Sequence, residues 1–574
     1  MAEQLLAFLQ SPGAFWLILG IAALFRLLFL AIKPPHFDEG INGWFVDQMV
    51  KNGFYRYDPT NYHGPLHFYI LFLSQTLFGR NLWALRLPVV MASIGSVWLA
   101  LQYEQILPRK VARLAALAMA ISPGFVFYGR YSIHEVWLLL FSMMFIFGLL
   151  GLWRCGSISY LWYAGMGLAG MILTKETYII HVGCALIAFP LTALSVWLSR
   201  LSAEISETPD KRPEPLPGWF PRLPQVDDAK AAKQVWTWLD LILVVAVGAA
   251  AIVFFYSGTF LNWSGVKGLF QTFHAWFKTG SNGNGHEKPF YYWLMLISRY
   301  EWPVLIGLIV CGCSQLFRSV FLRYLAINAV GVFLAYSIVH YKTPWCVISI
   351  VWPLLFLFGA TVLLPPIALP RILLGALMAS LLVVAFYCRS HFDYRDIWPF
   401  IVAVAVPLVL LALVDRIATD ALIGLALAFS FGYAIWLNYF RCTTETEPYV
   451  YVQTYNDICK LTQPVLALAQ SDPALYQMVG HIIRPSPYPL PWILDDFPRV
   501  GYYEHDNLPT TLDADFLLVQ EDKIKDVDSK LHESYYTEPL TVRPYQEPSK
   551  LYLRASLFHR FFPGRAPELT PAPR

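Results

Sequence analysis

Apolar runs about 20 residues long recur along this chain almost to residue 440, and no other feature restricts its fold so severely. A run of that kind crosses a bilayer as a helix, because backbone N–H and C=O groups find no partners in hydrocarbon and must bond within the segment. The runs fall near 14–33, 84–105, 111–127, 136–153, 158–173, 178–198, 237–257, 296–317, 321–339, 346–365, 370–388, 397–414 and 419–438. They predict a polytopic α-helical membrane protein with about 13 transmembrane helices. Composition agrees, with 57% hydrophobic residues, 14% charged residues and a mean hydropathy of +0.48. A net charge of +3, with no long basic run, excludes a nucleic-acid partner.

The first run reads as a retained span, since no basic segment precedes it and no small-residue cleavage site follows. With the N-terminus in the cytosol, Arg109, Lys110, Arg113 and the polar 200–233 segment lie inside, as the positive-inside rule prefers. Residues 1–442 then form the transmembrane domain. It has an external loop at 34–83, a Pro-rich cytosolic linker at 200–235 and an external loop at 258–295, whose Gly-rich 280–285 core suits a lid or a plain connector. Beyond 442, charge and turn residues rise. Residues 443–574 are expected to form a small soluble α/β domain on the non-cytosolic side. Its predicted strands include 449–452 and 516–519, and its predicted helices include 465–470 and 474–479. The rigid 488–492 segment, YPLPW, is expected to reach down to the membrane. Cys442 and Cys459 flank the start of this domain and are candidates for pairing outside the cytosol.

The chemistry is expected where residues 33–69 follow the first span, because acids at a membrane boundary are expensive unless used. On the 13-span topology five polar clusters share one face: Asp38-Glu39, the 128–135 segment YGRYSIHE, the 174–178 segment TKETY, His286-Glu287-Lys288, and the 340–345 segment HYKTPW. Carboxylates beside Arg and Lys suit a site that binds a phosphate and deprotonates a hydroxyl. Plainer readings exist. Asp38-Glu39 can cap a following helix, Lys175 can pair with Glu176, and Lys342 can snorkel to headgroups. His63 and His67, or His36 and Glu39, have ligand-like spacing, but Gly64-Pro65 and Pro34-Pro35 disfavour helical presentation. No metal site is assigned, and a divalent cation stays open. Arg26, inside the first span, should face the bundle and pair with a carboxylate.

The ordered set HFDEGINGWFVDQM, YHGPLHFY, GRYSIHE, TKET and YKTPW resembles the GT-C membrane glycosyltransferases. Protein O-mannosyltransferases and aminoarabinose transferases look nearest, and the subgroup named for flippase-associated activity most similar, tail segments YPLPW and ADFLLVQ included. The resemblance implies sugar transfer from a polyprenyl-phosphate-linked donor to a protein, lipid or glycan acceptor, outside the cytosol of a bacterial or archaeal cell. It implies Asp38 as the catalytic base, Glu39 in support and Glu135 as the second-loop acid. Arg130, Lys175 and Lys342 are candidates for the donor phosphate, with His63, His67, His134, Glu176, Tyr341 and Trp345 lining the substrate pocket. A flippase or transporter for lipid-linked glycans, or a non-catalytic scaffold, are the rival readings. The chain shows no inverted repeat of the kind many transporters carry.

Overall fold

The computed structural model describes residues 7–61, 63–205, 235–282, 286–310, 319–363, 419–504, 508–544 and 546–570. The expected spans at 370–388 and 397–414, and most of the linker at 200–235, lie outside these residues. Among the described residues seven helices are long and apolar enough to cross a membrane: Leu82–Gln105, His134–Cys155, Tyr178–Ser199, Trp238–Tyr256, Val320–Ile338, Pro344–Leu363 and Ile423–Phe440. Pro12–Leu27, Leu66–Phe78 and Ile158–Ile172 are shorter apolar helices. The protein is an integral membrane protein built on a helical bundle, with the Val347–Gly359 helix buried along its whole length at the centre.

Two expected spans are divided. The 111–127 run forms Arg109–Ile121 and Pro123–Tyr128, because Ser122 turns extended and Pro123 starts the second helix, where its missing N–H is no loss. The 296–317 run separates at Glu301 into Tyr292–Tyr300 and Trp302–Val310. The two breaks face each other. Glu301 accepts from Ser122 Oγ at 2.7 Å and from the Gly124 N–H at 2.8 Å, so one break supplies the acid that caps the other.

The segments expected as loops are largely helical. Residues 34–83 contain the Phe37–Asn52 and Leu66–Phe78 helices, and 258–295 contains Ser264–Asn282. Phe37–Asn52 begins with a reciprocal cap. His36 Nδ1 accepts from the Asp38 N–H, and Glu39 accepts from the His36 N–H.

The tail holds a five-stranded sheet in the order β2-β1-β3-β5-β4. Its strands are β1 (Gly480–Ile483), β2 (Val500–Tyr503), β3 (Phe516–Gln520), β4 (Tyr535–Leu540) and β5 (Ser549–Arg554). β1 runs parallel to β2 and β3, while β5 pairs antiparallel with β3 and β4. The strand expected at 516–519 is present as β3, and the helix at 465–470 lies within Cys459–Ser471. Residues 449–452 form no strand. Tyr449 is buried, stacked 4.0 Å from Tyr300, and packing replaces a sheet partner. Residues 474–479 hold a short 3-10 turn, Pro473–Gln477, that feeds β1. Cys442 and Cys459 are free thiols, not a pair.

The 488–492 element packs on the Phe37–Asn52 helix. A Cβ on Gly40 would lie 2.5 Å from Pro489 Cα, and one on Gly43 2.4 Å from the Trp492 indole. These glycines let the tail seat on the helix at backbone distance. Arg80 locks the contact by gripping Asp47 at 2.9 and 3.0 Å and the Trp492 carbonyl, and Lys51 meets Asp495 at 2.7 Å.

Candidate active site

Asp38 and Glu39 are neighbours with opposite environments. Glu39 is wholly buried, and its oxygens receive Arg86 Nε at 2.8 Å, Arg86 Nη2 at 2.7 Å, the His36 N–H at 2.9 Å and the Ser132 N–H at 2.8 Å. Burial opposes that charge and Arg86 outweighs it, holding the carboxyl below its ordinary range. The Asp38 side chain is 32% exposed, and among the described residues no donor reaches its carboxylate within hydrogen-bond distance. His36 Nδ1, 3.9 Å away, already accepts from the Asp38 N–H, so Nε2 carries the proton that goes to the Tyr451 carbonyl at 2.8 Å. Burial lowers the His36 pKa and favours the neutral ring. One acid is a bolt, the other an open acceptor.

Two short backbone pairings bring the remaining clusters to Asp38. His63 bridges to Lys175 in antiparallel fashion, with Gly64 N–H on Thr174 O at 2.9 Å and Leu66 N–H on Leu173 O at 3.1 Å. Glu287 bridges to Tyr341, with Lys288 N–H on His340 O and Lys342 N–H on His286 O. His286 Nδ1 then meets Tyr451 OH at 2.5 Å, on the residue whose carbonyl holds His36. All five polar clusters thus converge.

The first pairing carries an ionic lattice. Lys175 Nζ is ion-paired with buried Glu135, and Cys346 Sγ lies 3.7 Å from Glu135 and 3.9 Å from Lys175. His63 Nδ1 meets Glu176 at 3.1 Å. His134 lies between the rings of His63 and His67, at 4.6 and 4.4 Å. Trp137 donates to His67 Nδ1 at 3.1 Å, which leaves Nε2 to donate to Ser132 Oγ at 3.2 Å. His67 therefore fixes the backbone that holds Glu39. A cavity of about 70 Å³ opens here, lined by His63, Lys175, Glu176, Tyr341, Trp345 and Cys346 among others. Asp38, Glu39, His67, Arg130, His134, Glu135 and Lys342 are not on its wall.

Lys342 is almost fully buried, and its ammonium donates only to the carbonyls of Lys288, at 3.1 Å, and Val339. Its charge faces no carboxylate within ion-pair distance among the described residues, and burial pushes its pKa down to about 8. Arg130 is placed differently from expectation. Its guanidinium donates to the carbonyls of Phe25, Leu28 and Phe29 and stacks 4.8 Å from Tyr439, so it finishes the C-terminal end of the Pro12–Leu27 helix. Among the described residues Arg26 meets no carboxylate. It donates to Ser93 Oγ and to the Ala22, Met119 and Ala120 carbonyls, the last two freed by the break at Ser122. Both arginines are held by the negative ends of helices.

Sequence reasoning missed Arg86, Cys346, Tyr451 and Arg543. Arg86 sits in an apolar run with no local signal. Arg543, from the tail, lies 4.0 Å over the Phe37 ring and faces Asp38 electrostatically; burial and Arg484 lower its pKa to about 10. Among the described residues no group of three or more His, Cys, Asp or Glu side chains is arranged to hold a metal ion.

ArnT from Cupriavidus metallidurans, crystallised with undecaprenyl phosphate, superposes with a TM-score of 0.56 at 15% identity, covering 95% of this chain and 99% of that one. Its apo form gives 0.54 at 15% identity over the same shares. The chain shares the fold of ArnT. Residues 62–203 match the family model for dolichyl-phosphate-mannose-protein mannosyltransferases. That stretch includes the 63–67, 128–135 and 174–178 clusters. The Archaeoglobus fulgidus oligosaccharyltransferase gives a TM-score of 0.41 at 12% identity, over 94% of this chain and 73% of that one, too low to carry weight. No curated protein matches this chain by sequence.

Proposed function

We propose that this protein transfers a sugar from a polyprenyl-phosphate-linked donor to an acceptor hydroxyl, with inversion, at the non-cytosolic face of a bacterial or archaeal plasma membrane. The observation that carries the reading is the contrast at 38–39: a carboxylate with free lone pairs next to one saturated by four donors. A general base must keep an acceptor site open for the proton it takes, and Asp38 does. Asp38 removes the acceptor's proton as its oxygen attacks the anomeric carbon. The carbon–oxygen bond to the donor breaks on the opposite side, and its electron pair leaves with the phosphate. The transition state is oxocarbenium-like, and attack from the face opposite the phosphate inverts the centre.

Lys342 suits the phosphate, because its ammonium has carbonyl partners but no counter-charge among the described residues. Lys175 shares its charge with Glu135 and orders the cavity wall beside His63 and Glu176. Glu39, with Arg86, fixes the helix start that aims Asp38. ArnT bound to undecaprenyl phosphate supports a polyprenyl-phosphate carrier.

The test is sugar release from labelled polyprenyl-phosphate sugars by purified protein in liposomes, wild type beside Asp38→Asn. Release by wild type alone supports the reading. Labelled lipid crossing the bilayer with its sugar intact, and no release from any donor, would replace it with a flippase.

A further inference from the structure

A second and larger cavity, of about 420 Å³, lies between the Phe37–Asn52 helix and the tail. Its volume falls in the range of small-molecule sites. Four aromatic residues, Trp44, Tyr488, Phe497 and Tyr502, line it together with Lys51, Asp495 and Glu504, and three prolines stiffen its wall. Lys51 pairs with Asp495 at 2.7 Å, which leaves Glu504, exposed at the rim, as the uncompensated charge.

We infer that this cleft binds a saccharide and is the acceptor subsite of the transferase, an inference that rests on the reading proposed above. A pyranose has apolar C–H faces and a rim of hydroxyl groups. Aromatic rings cover the faces, while carboxylates and phenolic oxygens accept from the rim. The cleft supplies both kinds of group on rigid elements. Among the described residues that line the cleft, a single residual negative charge and no free cation disfavour a phosphorylated ligand, which separates this cleft from the Lys342 site.

The cleft also lies close to Asp38. Tyr488 stands edge-on to Phe37 at 5.9 Å and to Trp44 at 6.4 Å, so a row of rings runs from the cleft to the residue beside Asp38. Trp44 is six positions from Asp38, about 9 Å along the helix axis. An oligosaccharide seated here has a path for its end to reach the base, and the tail becomes the element that selects the acceptor.

Saturation-transfer NMR tests this on the full-length protein in nanodiscs, with maltotriose, mannotriose and chitotriose as probes and tetralysine as the peptide control. At least one trisaccharide is expected to show transfer to wild type. Its Kd should weaken about tenfold in Trp44→Ala and about fivefold in Glu504→Gln. Glu504 is exposed, so its variant keeps the test valid if Trp44→Ala undocks the tail. No trisaccharide signal at about 10 mM, signal from tetralysine alone, or unchanged affinity in both variants would overturn the inference. The readout needs no turnover, so absent sugar release from the lipid donor counts against the transferase reading alone. A protein that releases sugar yet shows no saccharide signal counts against the subsite alone.

Discussion

Arg86 grips Glu39 with two prongs, at 2.8 and 2.7 Å, and neither side chain touches solvent. Arg86 also donates to the carbonyls of Leu30, Lys33 and Pro34, so one guanidinium ties the end of the first helix to the start of the next. Removing one partner of a buried pair leaves the other charge unpaired and costs about 3–5 kcal/mol. Glu39→Gln should therefore lower stability by that order, read by chemical unfolding in detergent. A variant as stable as wild type would show that the pair does not hold the loop.

Asp38→Asn should behave in the opposite way. The carboxamide keeps the size and the helix start, so melting should shift little, while transfer falls by about 10³-fold or more with loss of the base. Turnover within tenfold of wild type would remove Asp38 from the mechanism.

Lys342 gives a pH dependence. Burial lowers its pKa to about 8, so the ammonium is charged below that pH and neutral above it. Donor KM should rise as pH goes from about 7 to about 9, with kcat less affected, because a phosphate contact exists in the ground state. Lys342→Arg, which stays charged throughout, should flatten the profile. A wild-type donor KM level across that window would exclude Lys342 from the phosphate.

Gly40→Ala probes the seat of the tail. The added Cβ would meet Pro489 backbone at 2.5 Å, so helix and tail must separate. Overpacking of this kind costs about 1–3 kcal/mol. Faster proteolysis of the tail, together with reduced transfer, is expected in limited digestion. Digestion at the wild-type rate would mean the contact is not a close one.

Much of this architecture was legible in the chain. The apolar period announced the bundle, and the turn-rich composition after 442 announced the small α/β domain. The break at Ser122 was hidden because apolar residues continue across it, although Pro123 marked it, whereas the polar Ser298, Arg299 and Glu301 and the following Pro303 marked the second break inside its run. The Phe37–Asn52 helix passed for a loop because its cap uses His36, where Ser, Thr, Asp or Asn would be the familiar signal. The different surroundings of Asp38 and Glu39 could not be read locally, since Arg86 lies 47 residues away within an apolar run. Arg26 and Arg130 announced that they needed partners. Nothing local said that helix-end carbonyls, not acids, would serve.

The seat of the tail on Gly40 and Gly43 sets a schedule for biogenesis. The helix carrying Asp38 leaves the ribosome early, whereas Pro489, Trp492 and Arg543, which pack on it, come more than 400 residues later. At about 5–20 residues per second that interval is on the order of half a minute to a minute and a half. During it the open carboxylate lacks the wall that flanks it in the finished molecule. A nascent chain thus carries an unwalled carboxylate until its last quarter has been made and has packed back onto the helix.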